Sequence, residues 1–125
     1  MRILTWTDFD HAVKQIATAY PEARAVYGFP RGGLCLSVAI SHRLGVSHLR
    51  DPEPGCLVVD DIYETGKTLG TLQHLPGACH AVWISKVIPT WFHAVEVTHG
   101  PEWVLFPWES PAYAREDCNA YHASR

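Results

Sequence analysis

The stretch that most restricts what this chain can become is Cys56-Leu57-Val58-Val59 running into Asp60-Asp61-Ile62-Tyr63-Glu64-Thr65-Gly66-Lys67-Thr68. A continuous apolar run suits a strand covered on both faces, as in a parallel sheet between other layers. Two carboxylates leave the end of that strand, and a turn rich in hydroxyls and glycine opens the next helix. Backbone N–H groups at a helix start, together with Thr hydroxyls, form a cradle for phosphate. Carboxylates beside such a cradle accept from sugar hydroxyls or hold a divalent metal through oxygen. Phosphate donors and sugar acceptors within nine residues point to a phosphorylated sugar. For any one of these residues a capped helix with solvated acids is an equally good account; for the whole string it is a poor one. Gly66-Lys67-Thr68 does not belong to a P-loop. That motif needs glycine five positions earlier, where this chain has Asp61.

The rest of the chain supplies the alternation such a sheet requires. Phe9, Ala12, Val13, Ile16, Ala17 and Tyr20 recur at helical steps, and Thr5-x-x-Asp8 has the form of a capping box. A helix is expected over residues 5–20, stopped by Pro21. Ala25-Val26-Tyr27 reads as a strand running into the turn Gly28-Phe29-Pro30-Arg31-Gly32-Gly33, followed by a helix from Leu34 to Leu44 closed by Gly45. A short strand fits Val46 to Arg50, and Asp51-Pro52-Glu53-Pro54-Gly55 reads as a turn. A helix is expected from about Leu69 to Leu75, and a buried strand over Ala81 to Ile84. The apolar segment Trp103-Val104-Leu105-Phe106 precedes a polar tail, expected to be irregular from about 110 to 125. Alternating strands and helices predict an α/β fold: an open, mostly parallel sheet with helices on both faces, in a single domain over 1–125. Ligands in that architecture bind beyond the carboxyl ends of the strands.

Composition narrows the function classes. The 125 residues are 47% hydrophobic and 18% charged, with a formal net charge of −3, which argues against broad capture of nucleic acid or an acidic membrane. Four cysteines without a C-x-x-C read as reduced thiols. No signal-peptide core or membrane span is visible, and a cytoplasmic location is expected. The eight histidines show no H-E-x-x-H spacing.

Leu57 to Thr68 resembles the phosphoribosyl-pyrophosphate (PRPP) loop of type I phosphoribosyltransferases. The resemblance is strongest to the bacterial xanthine–guanine members. Leu4-Thr5-Trp6 is similar to their N-terminus, Pro30-Arg31-Gly32-Gly33-Leu34 to their pyrophosphate turn, and Ser85-Lys86 with Trp103 to Glu109 to their purine strand and hood. The resemblance implies a small C-terminal hood and Mg²⁺-dependent transfer of 5-phosphoribosyl from PRPP to a 6-oxopurine, giving the nucleotide and pyrophosphate. Arg31 and Gly32 would meet pyrophosphate, a guanidinium suiting that geometry better than an ammonium. Asp60 and Asp61 would hold the ribose hydroxyls, with Asp61 also on Mg²⁺, and Thr65, Gly66, Lys67 and Thr68 would wrap the 5′-phosphate. Glu64, where the family usually has Asp, would face PRPP and the purine imidazole as proton acceptor. Lys86 would donate to O6, Trp103 would stack on the base, and the Val104 backbone would read its edge. Taken singly, Arg31 also suits a surface charge, Lys86 a solvated strand end, and Trp103 the core. The family association in dimers or tetramers implies a homo-oligomer.

One departure stands out. Where the family carries a long mobile loop before the acidic strand, this chain has only Asp51 to Gly55 and the adjoining strand ends. Even ten residues reach at most about 33 Å fully extended, and roughly half that out and back. Water exclusion by this segment is not expected. Three outcomes are open: a minimal purine phosphoribosyltransferase, a binding or sensor protein that keeps the phosphate pocket without turnover, and an activity in which water replaces the base.

Overall fold

The computed structural model describes residues 1–113 of the chain. In chain order the elements are β1 (Arg2–Ile3), α1 (Trp6–Ala19), β2 (Ala25–Gly28), α2 (Leu34–Leu44), β3 (Ser47–Leu49), β4 (Leu57–Tyr63), a 3-10 helix (Leu69–Leu72), β5 (Cys79–Ser85), β6 (His93–Val97) and β7 (Val104–Leu105). Five strands form one parallel sheet in the order β3-β2-β4-β5-β6, with the acidic strand in the centre. This is the expected open α/β sheet.

Local chemistry sets the helix ends. The Asp8 N–H donates to Thr5 Oγ1 at 3.1 Å and the Thr5 N–H to the Asp8 carboxylate at 2.8 Å, closing the capping box that starts α1. Gly45 ends α2 in the left-handed conformation, φ +66°. Phe9, Val13 and Ile16 of α1 and Leu36 and Ile40 of α2 bury against Val26, Leu57, Val59 and Trp83 on one face of the sheet. The hydrophobic effect there fixes which way β4 faces, because neighbouring strand residues alternate sides. Val58, Tyr27 and Val82 point to the other face.

That second face is covered by the 3-10 helix and by Trp91 and Phe92 from the β5–β6 connection. The helix expected to Leu75 is therefore shorter and tighter. Most of the bonds in and after it span three residues, Thr71 to Thr68 (3.1 Å), Gln73 to Gly70 (3.2 Å) and Leu75 to Leu72 (3.2 Å), while the Gly70 N–H reaches the Gly66 carbonyl at 2.8 Å. Gly70 weakens an α-helix here and Pro76 ends the segment. The acidic strand is longer than expected, continuing through both aspartates to Tyr63, because its ladder with β5 continues to Tyr63 opposite Ser85. β6 and β1 were not expected. Pro111, Ala112 and Tyr113 are helical rather than irregular, and the rest of that tail lies outside the described residues. Cys35, Cys56 and Cys79 are free thiols, while Cys118 lies outside the described residues.

Two features of the path position the site. From β2 the chain moves outward through α2 to β3, then returns past β2 to begin β4 on its other side. The carboxyl ends of β2 and β4 consequently flank a topological switch point, where an open α/β sheet leaves a crevice. Secondly, β1 pairs in parallel with β7, Arg2 opposite Val104 and Ile3 opposite Leu105. The Arg2 N–H donates to the Trp103 carbonyl (2.8 Å) and the Leu4 N–H to that of Leu105 (2.9 Å). The Arg2 guanidinium pairs with Glu96 of β6. Phe9, Trp83, Phe106 and Trp108 pack together in tilted, edge-to-face and stacked pairs, in the same core cluster as Val104 of β7. The amino terminus thereby holds the hood segment against the sheet.

Candidate functional site

The turn after β2 is folded onto β4. The Phe29 N–H donates to the Val59 carbonyl at 3.1 Å, the Gly33 N–H to Phe29 at 2.8 Å, and the Pro30–Arg31 peptide is cis. A Cβ on Gly32 would fall within the Asp61 carboxylate, so only glycine lets that carboxylate lie flat on the turn. Arg31 is exposed on the same turn.

Asp60 is 6% exposed and its Oδ1 accepts from the Asp61 N–H at 2.9 Å. Asp61 Oδ1 accepts from the Ile62 N–H at 2.8 Å. Burial, and then the charge of Asp61, push the Asp60 carboxyl up to about 8. Burial also raises Asp61, with the Glu64 charge adding to the effect. Carboxyls held above their ordinary range favour a cation or hydroxyl donors. This donor set fits Mg²⁺, which takes one or two carboxylates and completes its shell with substrate oxygens and water. Among the described residues no group of three or more His, Cys, Asp or Glu side chains is arranged to hold a metal without such help.

On one side of the pair, Tyr63, Glu64, Thr65, Gly66, Lys67 and Thr68 line a cavity of about 340 Å³. Gly66 has φ +81°, and the Tyr63 hydroxyl lies where its Cβ would be. Thr65 Oγ1 accepts from the Lys67 N–H at 3.4 Å. The segment that follows is a short 3-10 helix, Leu69–Leu72, in place of the helix whose start was expected to supply the N–H groups. The cradle consists instead of turn N–H groups, Thr hydroxyls and the exposed Lys67. On the other side, a cavity of about 250 Å³ brings Asp61, Glu64, Thr65 and Lys86 together with Trp103 and Val104 of the hood. The Lys86 N–H donates to the Tyr63 carbonyl at 2.8 Å, which sets Lys86 beside the end of β4. Its ammonium donates to the carbonyls of Glu102 (2.5 Å) and Gly100 (3.3 Å). Ile62, Glu64 and Thr65 line both cavities, so phosphate turn and base-sized cleft meet just past the aspartates, with Asp61 in the wall of the base-side cleft.

Every residue singled out from sequence except Arg31 lies in one of these cavities or touches the aspartates. Arg31 lines neither cavity and reaches the site through its neighbour Gly32. Sequence reasoning missed Ile62, Phe106, Glu102 and Glu109 in the base-side wall and Tyr63 beneath the phosphate turn. Glu109 had a local signal: its Oε1 accepts from the Phe106 N–H at 2.8 Å, closing the turn through Pro107 and Trp108. Tyr63 meets Gly66 only three residues on, whereas Glu102 depends on its contact with Lys86, sixteen residues away.

The shortened connection before β4 is pinned. The Gly55 N–H donates to Pro76 at 2.8 Å and the Cys79 N–H to Cys56 at 3.1 Å. Gly55 therefore lies at the amino ends of β4 and β5, roughly 20 Å along the strand from Asp61. It cannot cover the site.

Among the described residues no helix is long and apolar enough to cross a membrane. No family model and no curated protein matches the sequence. Solved structures do match. A purine phosphoribosyltransferase from Pyrococcus horikoshii is 25% identical, with a TM-score of 0.72 over 87% of this chain and 93% of that one. A xanthine-guanine-hypoxanthine phosphoribosyltransferase from Helicobacter pylori is 19% identical, with a TM-score of 0.67 over 93% and 98%. A hypothetical protein from Neisseria gonorrhoeae with bound ppGpp is 15% identical, with a TM-score of 0.63 over 99% and 98%. With a central acidic strand at the switch point and these neighbours, the chain has the type I phosphoribosyltransferase fold.

Proposed function

We propose that the chain transfers the 5-phosphoribosyl group of PRPP to a ring nitrogen of a 6-oxopurine: guanine, hypoxanthine or xanthine. The observation that carries this reading is the meeting of two cavities at Glu64 and Thr65, just past the Asp60–Asp61 pair, one walled by Thr65–Thr68 and the other by Asp61, Lys86 and Trp103. A ribose on the aspartates would direct its 5′-phosphate into the first and its C1 toward the second. Transfer breaks the bond from C1 to pyrophosphate and forms one from C1 to nitrogen, and a base proton leaves to Glu64. Arg31 and the Gly32 turn would meet the departing pyrophosphate, and Asp60 and Asp61 would fix the sugar hydroxyls while its ring carries positive charge. Mg²⁺ on Asp61, when bound, would neutralise pyrophosphate oxygens. Lys86 has three N–H donors, and the one beyond its two hood carbonyls would reach O6. The purine phosphoribosyltransferases among the structural neighbours support the reading. The test is an ultraviolet assay with PRPP, Mg²⁺ and each base. No nucleotide from any of them refutes the proposal.

The pinned connection favours one second reading, a nucleotide-binding module without turnover. The Neisseria protein of similar span, with ppGpp bound, points the same way. Saturable calorimetric binding of PRPP or a guanine nucleotide without catalysis would support it. A cytoplasmic setting and assembly with a second copy belong to the same proposal, and light scattering reads the second.

A further inference from the structure

The phosphate turn has little to hold it from within. Gly66 adopts φ +81°, a conformation that suits glycine and costs backbone freedom. The Lys67 N–H reaches Thr65 Oγ1 only at 3.4 Å, and the 3-10 helix that follows is four residues long. Support comes from below. A Cβ on Gly66 would lie 2.5 Å from the Tyr63 hydroxyl and 3.0 Å from the ring carbon that bears it. Leu57 and Val59 face one core, and strict alternation along β4 would send residue 63 to the same side. Tyr63 packs instead on the opposite face, in the cluster of Val58. Its ring stacks on Phe92, with centroids 4.3 Å apart and 27° between the planes, and meets Trp91 edge to face at 6.1 Å.

These contacts close a circuit. Trp91 lies edge to face with His80 at 5.1 Å, and His80 Nε2 donates to the Leu72 carbonyl at 2.7 Å. Leu72 ends the 3-10 helix, and the Gly70 N–H of that helix reaches back to the Gly66 carbonyl at 2.8 Å. Resting on the function proposed above, which puts the 5′-phosphate in this turn, we infer that Tyr63 is a positioning residue for phosphate. Its hydroxyl-bearing edge props Gly66 so that the N–H groups of Thr65–Thr68 converge, and Phe92 and Trp91 fix the prop. Tyr63 acts through the turn backbone and not by touching the sugar. Donors held in place before a ligand arrives bind it more tightly than donors that must be gathered. The circuit passes through neither the Arg31–Gly32 turn nor the hood, so breaking it should be felt at the phosphate end alone.

The test uses two variants. Tyr63→Phe keeps the ring on Phe92 and removes the hydroxyl from beneath Gly66; Tyr63→Leu removes both. Calorimetric titration with ribose 5-phosphate, which carries the 5′-phosphate alone, should show affinity reduced about threefold or more in Tyr63→Phe and about tenfold or more in Tyr63→Leu. In turnover, KM for PRPP should rise by a similar factor while KM for the base stays within about twofold. With tyrosine labelled by carbon-13 at Cζ, the resonance missing from Tyr63→Phe belongs to Tyr63, and it should shift as ribose 5-phosphate is added to the wild type. A side chain that only packs would lower stability in urea and leave the affinity, the KM split and that resonance unmoved. That result, or an equal rise in both KM values, overturns the inference and leaves the proposed transfer standing. If Tyr63→Leu does not fold, Tyr63→Phe decides; if binding occurs without turnover, the ribose 5-phosphate titration decides. Failure of the wild type to bind PRPP or ribose 5-phosphate, with no turnover of any base, removes the proposed function and this role with it.

Discussion

Replacing Asp60 with Asn tests the electrostatics on which the sugar site rests. Asn keeps an oxygen to accept from the Asp61 N–H, now 2.9 Å away, and changes little else in shape. Native Asp60 sits at about 8, against 3.8 without the protein, mainly because it is buried and then because Asp61 is charged. Between those values the folded chain holds a proton that the unfolded chain has released. Stability of the wild type therefore falls as pH rises, by up to about 1.4 kcal/mol per pH unit, while the Asn side chain does not titrate. From pH 5 to pH 7 the variant should gain roughly 2–3 kcal/mol on the wild type, and the gain should level off above pH 8. Urea unfolding followed by tryptophan fluorescence, repeated across that range without ligand, measures the difference directly. PRPP with Mg²⁺ should reverse the order, stabilising the wild type far more than the variant. Parallel stability profiles for the two proteins would refute the argument that burial holds a proton on this pair.

Other expectations follow from single contacts. Gly32→Ala would drive a methyl group into the Asp61 carboxylate and should weaken PRPP binding by about tenfold or more, read by calorimetry. Glu64→Asp shortens the proposed proton acceptor by one methylene and should preserve or improve transfer; a large loss in turnover would show that the site is built around the longer side chain. Because Gly55 is pinned far from Asp61, water reaches the ribose, and slow loss of PRPP without any base should appear by phosphorus NMR. Stable PRPP under those conditions would show that something else closes the site.

Much of this site is written in short stretches of sequence. The apolar run before Asp60, the Thr5–Asp8 capping box and the Gly45 terminator each rely on neighbours a few residues away, and each is found in the structure. β6 is different. His93 and Glu96 obscure its strand pattern, and it exists because β5 offers an edge with matching register. The two-residue ladder of β1 and β7 has no local signature at all, since its partners are about a hundred positions apart. The same holds within the site. Thr65 to Thr68 announce a phosphate turn by themselves, whereas Glu102 gains meaning only once Lys86 is seen bonded to its carbonyl. Nor does residue order reveal that the connection from β3 to β4 is tethered at the distal edge of the sheet.

The two halves of the crevice have separate foundations. The phosphate half grows out of the central strand and inherits the rigidity of the whole sheet. The base half leans on a seam stitched by Arg2, Ile3 and Leu4, at the outermost fringe of the architecture. A tag fused ahead of Met1, or trimming of those few residues, would thus be felt where a purine docks and hardly at all where a phosphate does. Tinkering with one compartment while sparing its neighbour is accordingly built into the scaffold.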